Sequence, residues 1–213
     1  MDFLPKTIEQ YAAAFSSPEG EVLERLNRDT HAKILKPRML SGHLQGRLLA
    51  FISRMVRPQR ILEIGTYTGY SAICLAEGLQ DGGRLHTIDH NEELEDFVSG
   101  YIREAGFEEE IIQHIGEAID LIPDLNLTFD LVFVDADKEN YITYFDMVLP
   151  QMRKGGFLLA DNALWSGKVL NKPEEMDDET RGIVAFNEYV RDHPGVRNLL
   201  LPFRDGMMIL EKI

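Results

Sequence analysis

Residues 60–71 read RILEIGTYTGYS. Arg60 to Ile64 has the short apolar run of a buried strand, and Gly65 and Gly69 then break that pattern. From Tyr70 the run YSAICLAEGL has helical spacing, with Ile73, Leu75, Ala76 and Leu79 on one face and Ser71 near the helix start. Strand, glycine turn and helix in that order form a cradle, where backbone comes close to a ligand because no Cβ intervenes.

The spacing narrows the ligand. A dinucleotide fingerprint, G-x-G-x-x-G, needs its middle glycine so that backbone can meet a pyrophosphate. Tyr67 stands in that place. The next strand, RLHTID, ends at Asp89, where an acid can accept hydrogen bonds from both ribose hydroxyls. Glu63 adds a carboxylate just before the glycines, which suits an ammonium or sulfonium group and repels a phosphate. A ribose is indicated and a pyrophosphate is not. Alone, the stretch also fits a plain βαβ unit with a capped turn.

The 213 residues suffice for one domain with a full core, and 44% hydrophobic with 27% charged residues is globular composition. A single domain over 1–213 is expected. A net charge of -14 disfavours nonspecific binding to DNA, RNA or anionic lipid, whose phosphates call for Lys and Arg. No apolar run reaches membrane-spanning length, and MDFLPKTIEQ has neither a basic nor an apolar leader region, so a cytoplasmic protein is expected. The single cysteine, Cys74, cannot form an internal disulfide and reads as core.

Along the chain, Lys6 to Ala14 predicts a first helix, and Ser17-Pro18 predicts the start of a second that runs to about Lys33. Leu35 to Gly46 reads as an irregular loop, and helix resumes over Leu48 to Val56. Asn91 to Ala105 predicts a helix and Ile111 to Ile115 a strand, followed by Gly116, Glu117 and Ala118 at the edge where Gly65 and Asp89 lie. Successive strand ends of a parallel sheet form one ligand crevice, and a residue as small as Ala118 lets an adenine ring lie against the loop.

Asp130 to Val134 predicts a fourth strand, ending in Asp135-Ala136-Asp137-Lys138. Phe157 to Ala160 predicts a fifth, after a Gly155-Gly156 turn, ending in Asp161-Asn162. Asp135, Asp161 and Asn162 supply three oxygen ligands at adjacent strand ends, a pattern that octahedral Mg²⁺ accepts with room for water or substrate. Such residues also cap helices, and either pair alone fits that role as well. Ala163 to Thr180 reads as a polar loop holding the only tryptophan, Trp165, and serves either as a lid or as a mobile surface loop. Arg181 to Arg191 predicts helix. Arg197 to Pro202 and Met207 to Lys212 predict two strands whose short connection makes them an antiparallel hairpin.

The ordered motifs MLSGHLQG, LEIGTYTGYS, TIDHNEE, DLVFVDADKENY, LLADNALWSG and RDGM resemble those of the small cation-dependent class I O-methyltransferases, the group of catechol and caffeoyl-CoA O-methyltransferase. The likeness covers Pro37 to the C-terminus. It implies an α/β, Rossmann-like fold: a seven-stranded mostly parallel sheet with an antiparallel last strand, helices on both faces and extra N-terminal helices. Carried over by position, it assigns S-adenosylmethionine to Ser41, Glu63, Gly65, Thr66, Ser71, Asp89, Ala118 and Asp135. It assigns Mg²⁺ or another divalent cation to Asp135, Asp161 and Asn162, the general base to Lys138, and acceptor contacts to Met39, Lys138 and Trp165. Tyr141 and Phe203 are further candidates for an aromatic lining. Ile119 departs from members with a polar residue against adenine.

The implied reaction is methyl transfer to a hydroxyl of a small catechol-like phenol chelated by the cation, in a homodimeric enzyme that uses no DNA. The same resemblance covers tRNA hydroxyuridine methyltransferases. The charge of -14 speaks against that acceptor, and Lys33, Lys36, Arg38 and Arg47 near the first loop speak for it. A cofactor-binding protein without catalysis, or a NAD module, is the reading of another class. All three cation ligands argue against the former and the absent middle glycine against the latter.

Overall fold

The computed structural model describes residues 5–213. Three helices, α1 (Lys6–Ala14), α2 (Glu21–Lys33) and α3 (Gly42–Val56), precede β1 (Arg60–Ile64). After α4 (Tyr70–Ala76) come β2 (Arg84–Asp89), α5 (Glu95–Glu104), β3 (Ile111–Ile115), α6 (Ala118–Leu125) and β4 (Phe129–Val134). The chain ends with α7 (Tyr141–Val148), β5 (Met152–Ala160), α8 (Asp178–Arg191), β6 (Val196–Leu201) and β7 (Met207–Lys212). The strands form one seven-stranded sheet in the order β3-β2-β1-β4-β5-β7-β6. β7 runs antiparallel to both β5 and β6, as expected of the last strand and of the terminal hairpin. No helix among the described residues is long and apolar enough to cross a membrane.

Contacts group the chain into two compact units, one of Lys6–Glu117 and one holding Ala118–Ile213. In the first unit, β1 pairs with β2 and β2 with β3, all parallel. All seven residues of α4 are buried, so it has no single apolar face, and Leu79 lies beyond its end. Cys74 is core, its thiol pushed up to about 12 by burial.

Two helix starts in this unit differ from expectation. α2 begins at Glu21, with Gly20 as N-cap at φ 88°, rather than at Ser17-Pro18. The acceptors of that segment serve other partners: the Ser17 carbonyl meets His43 Nε2 at 2.7 Å, and the Glu19 carboxylate accepts from the Tyr70 hydroxyl. α3 begins at Gly42, inside the stretch read as loop. Gly46 there reflects close packing, because a Cβ on it would lie 2.6 Å from Tyr70 Cε1 and 2.8 Å from Cys74 Sγ.

In the second unit β5 is longer than expected, and Gly155-Gly156 lies inside it. Its pairing with β4 jumps from Phe129↔Met152 to Leu131↔Phe157, so the strand carries extra residues in a bulge. Gly155 supplies φ 68° there, and a Cβ on Gly156 would sit 2.9 Å from the Arg153 carbonyl. α8 starts at Asp178, not Arg181, because Asp177 caps it by accepting from Thr180 N at 2.8 Å.

Candidate functional site

The glycine turn of the first unit is held by its own backbone. Gly65, at φ 102°, donates to the Ile88 carbonyl at 2.9 Å, and Gly69 donates to Thr66 O at 2.9 Å. A Cβ on Gly69 would lie 2.9 Å from Val98 Cγ1, so the cradle is closed to a larger residue. Tyr67 adopts φ 47° where a dinucleotide site has glycine. That conformation is tied down at both ends: its N–H donates to Asp89 Oδ2 at 2.8 Å and its hydroxyl donates to Leu35 O at 3.0 Å. Leu35 and Lys36 are therefore fastened to the glycine turn. Asp89 Oδ1 accepts from Asn91 N at 2.9 Å, so the acid expected at a ribose also shapes the turn.

Glu63 is fully buried at the end of β1. Its Oε2 accepts from the Thr87 hydroxyl at 2.5 Å, and the Thr87 and Thr66 hydroxyls are bonded to each other. Thr87, on β2, is a site residue that sequence reasoning missed; register sets Glu63 opposite it, and no local motif marks that pairing. Thr68 Oγ1, in the same turn, is buried without a hydrogen-bond partner among the described residues. Ser71 is buried in the first turn of α4 and Ser41 at the N-terminus of α3, while Met39 is half exposed. A cradle closed by glycine, a buried carboxylate and an orphaned hydroxyl fit a polar ligand that carries a positive charge.

In the second unit Val134 pairs with Ala160, and Asp161 N donates to Val134 O at 3.0 Å. Asp135 and Asp161 are thereby brought to neighbouring strand ends. Asp161 is buried, and its Oδ1 accepts from Asn162 N at 2.8 Å. Asn162 takes the left-handed conformation, φ 60°, which Asn tolerates better than most residues. Among the described residues no three His, Cys, Asp or Glu side chains gather as a metal site. The strand-end set has a different composition, two carboxylates and an amide, and its oxygen chemistry fits a hard divalent cation.

Lys138 is not a solvated surface ammonium. It is buried, and its Nζ donates to Asp135 Oδ1 at 2.9 Å and to the Tyr141 hydroxyl at 2.8 Å. Burial pushes its pKa down, but Tyr141 and Asp135 outweigh this and hold it above the ordinary lysine value. Tyr141 is wholly buried, with its hydroxyl also 3.2 Å from the Asp161 carbonyl, so it belongs to the support of the site and offers no surface to a phenol. The Trp165 ring has Lys138 Nζ 5.7 Å and Lys168 Nζ 5.6 Å from its centroid, and its indole N–H is buried without a hydrogen-bond partner among the described residues. The stretch read as a polar loop contains 3-10 turns at Trp165–Leu170 and Pro173–Glu175, and Lys168 ion-pairs with the cap residue Asp177 at 2.8 Å.

The profile of the O-methyltransferase family matches residues 13–213. The chain belongs to this family. It is 29% identical over 205 residues to caffeoyl-CoA O-methyltransferase of Stellaria longipes, covering 92% of this chain and 85% of that protein. Catechol O-methyltransferase domain-containing protein 1 of Mus musculus is 33% identical over 174 residues, 79% of this chain and 66% of that one. Among solved structures, the O-methyltransferase TomG of Streptomyces achromogenes in complex with SAM superposes with a TM-score of 0.88 at 30% identity, covering 97% of this chain and 96% of that one. The expected family and fold are both borne out.

Of the other residues expected in this O-methyltransferase, Ala118 is buried as the first residue of α6, and Ile119 beside it is exposed. Of the four basic residues near the first loop, Arg47 is ion-paired with Glu77, and Lys33 with Asp29 at 2.6 Å.

Proposed function

We propose that the chain catalyses cation-dependent methyl transfer from S-adenosylmethionine to a hydroxyl of a small catechol-like phenol, with residues 1–213 acting as one catalytic domain. The observation that carries this reading is the meeting of Asp135 and Asp161 at paired strand ends beside Asn162, with the buried Lys138 on Asp135. Glu63, Gly65, Thr66, Ser71 and Asp89, with Ser41, Ala118 and Asp135, bind the methyl donor. Glu63 faces its positive charge and Asp89 its ribose hydroxyls.

Asp135, Asp161 and Asn162 hold Mg²⁺ or a similar cation. When bound there, a divalent ion supplies Lewis-acid polarisation of an acceptor hydroxyl. With a divalent ion on Asp135, the neutral amine of Lys138 is favoured against the raised pKa that Asp135 and Tyr141 give it alone, and that amine takes the proton from the hydroxyl oxygen while Tyr141 and Asp135 keep its Nζ in place. Met39 and Trp165 orient the aromatic ring of the acceptor and exclude water. Holding nucleophile and methyl in line lowers the barrier by about 7 to 11 kcal/mol at the limit of such effects. The net charge of -14, with Arg47 and Lys33 engaged by Glu77 and Asp29, favours the small acceptor over tRNA.

Asp161→Ala tests the assignment. It should abolish turnover and leave S-adenosylmethionine binding, followed by calorimetry, largely intact. Equal loss of both would mean that Asp161 serves the donor or the fold instead of a cation.

A further inference from the structure

On the cation-site reading above, we propose that Asp205 is a positioning residue that sets which end of the Asn162 side chain faces the cation. A carboxamide has an oxygen end that ligates and an NH2 end that cannot, and the two have nearly the same shape. The strand end by itself selects neither. The selection comes from the tip of the β6–β7 hairpin, which docks on residues 162–166. Leu164 N donates to Asp205 O at 2.8 Å and Ala163 N to Gly206 O at 2.9 Å. Gly206 fits so closely that a Cβ there would lie 2.7 Å from Leu164 N.

That docking fixes the Asp205 carboxylate. Its Oδ1 accepts from Ser166 N, the turn residue at φ 53°, and its Oδ2 accepts from Asn162 Nδ2 at 3.3 Å. A carboxylate only accepts, so it meets the NH2 end of Asn162 and directs the amide oxygen the other way. Asp205 itself needs no contact with cation or acceptor to do this. It lies 43 positions along the chain from Asn162.

The variant Asp205→Asn turns the logic round. Ser166 N–H still demands an acceptor, so the new amide keeps its oxygen there and presents NH2 to Asn162. Asn162 then rotates its oxygen toward position 205 and its NH2 toward the cation. Asp205→Ala removes more of the side chain but imposes no wrong orientation. The swapped pair Asn162→Asp with Asp205→Asn restores an oxygen on the cation side, because both ends of a carboxylate are oxygen.

The probe is Mn²⁺ alone, titrated into each folded protein and read by the electron paramagnetic resonance of the free ion, with thermal unfolding recorded in parallel. Asp205→Asn should weaken Mn²⁺ binding by about 10- to 100-fold, the range seen when partners of metal ligands are changed. Asp205→Ala should weaken it less, and the swapped pair should return it toward the wild-type value. Wild-type affinity in Asp205→Asn, a greater loss in Asp205→Ala, or a swapped pair no better than Asp205→Asn would overturn the inference. No Mn²⁺ binding by the wild type, or binding that survives Asp161→Ala, would overturn the cation reading itself and this inference with it.

Discussion

Gly182 brings α8 against the backbone that carries Lys138, and Gly182→Ala should therefore disturb catalysis from the far side of that helix. A Cβ at position 182 would lie 2.6 Å from the Lys138 carbonyl oxygen and 3.0 Å from both Lys138 C and Glu139 Cα. These are backbone atoms, so no side chain can swing away to relieve the contact. Restoring an ordinary separation needs a shift of about 0.8 Å between α8 and residues 138–139. Overpacking of this kind costs about 1 to 3 kcal/mol, and the better helix propensity of alanine returns about 0.8 to 1 kcal/mol. A net destabilisation of roughly 0 to 2 kcal/mol follows, readable by urea unfolding. The larger effect falls on turnover, since a misplacement near 1 Å costs about 100-fold in a positioned reaction. Gly100→Ala in α5 is the control, because a Cβ there meets nothing within 4 Å among the described residues. In a steady-state methyl-transfer assay Gly182→Ala should lose about 10- to 100-fold in kcat with donor affinity unchanged, and Gly100→Ala should lose nothing. Turnover within twofold of wild type, together with a rise in stability at Gly182→Ala, would refute the idea that α8 sets the position of Lys138.

Thr87→Val removes the hydroxyl that donates to Glu63 and bonds to Thr66. It should cost about 1 to 3 kcal/mol in urea unfolding and weaken S-adenosylmethionine binding in calorimetry, whereas unchanged donor affinity would separate Thr87 from the donor site. His86 offers a pH test of the first unit. Its Nδ1 lies 2.9 Å from His114 Nε2, and burial, then His114, Arg60 and Arg84, lower its pKa from 6.5 to about 4. A folded-state pKa below the unfolded value means that the unfolded chain binds the proton first. Stability is therefore full above pH 6.5 and falls as pH drops toward 4. Allowing for partial solvent screening, the loss between pH 7.5 and 5 should be about 1 to 2 kcal/mol. His86→Gln should flatten that limb of the urea-midpoint profile; an identical limb in the variant would place the acid sensitivity elsewhere.

β1 (Arg60–Ile64), β2 (Arg84–Asp89) and β3 (Ile111–Ile115) match their expected bounds because each is a short run that glycine or an acid closes. Helix starts were less legible, since capping signals compete with tertiary partners. Ser17-Pro18 lost to Gly20 where the Ser17 carbonyl and the Glu19 carboxylate bond to α3 and α4, and Gly46 marked close helix packing where composition suggested loop. Gly155-Gly156 carries a bulge inside β5, which depends on register with β4. The acids at strand ends could be read locally, because Asp135 and Asp161 each follow an apolar run. Their supports could not. Thr87 reaches Glu63 across two strands, Asp205 reaches Asn162 from the terminal hairpin, and Gly182 reaches Lys138 from another helix. Each of these relations exists only after the sheet has formed.

The most direct test of the cation-dependent reading is methyl transfer from S-adenosylmethionine to a simple catechol, with Mg²⁺ and with EDTA. Methylated catechol that forms with Mg²⁺, stops with EDTA and returns when Mg²⁺ is restored is the expected result. Product formed equally well in EDTA would contradict the role given to Asp135, Asp161 and Asn162, and methylation of tRNA with none of catechol would contradict the acceptor.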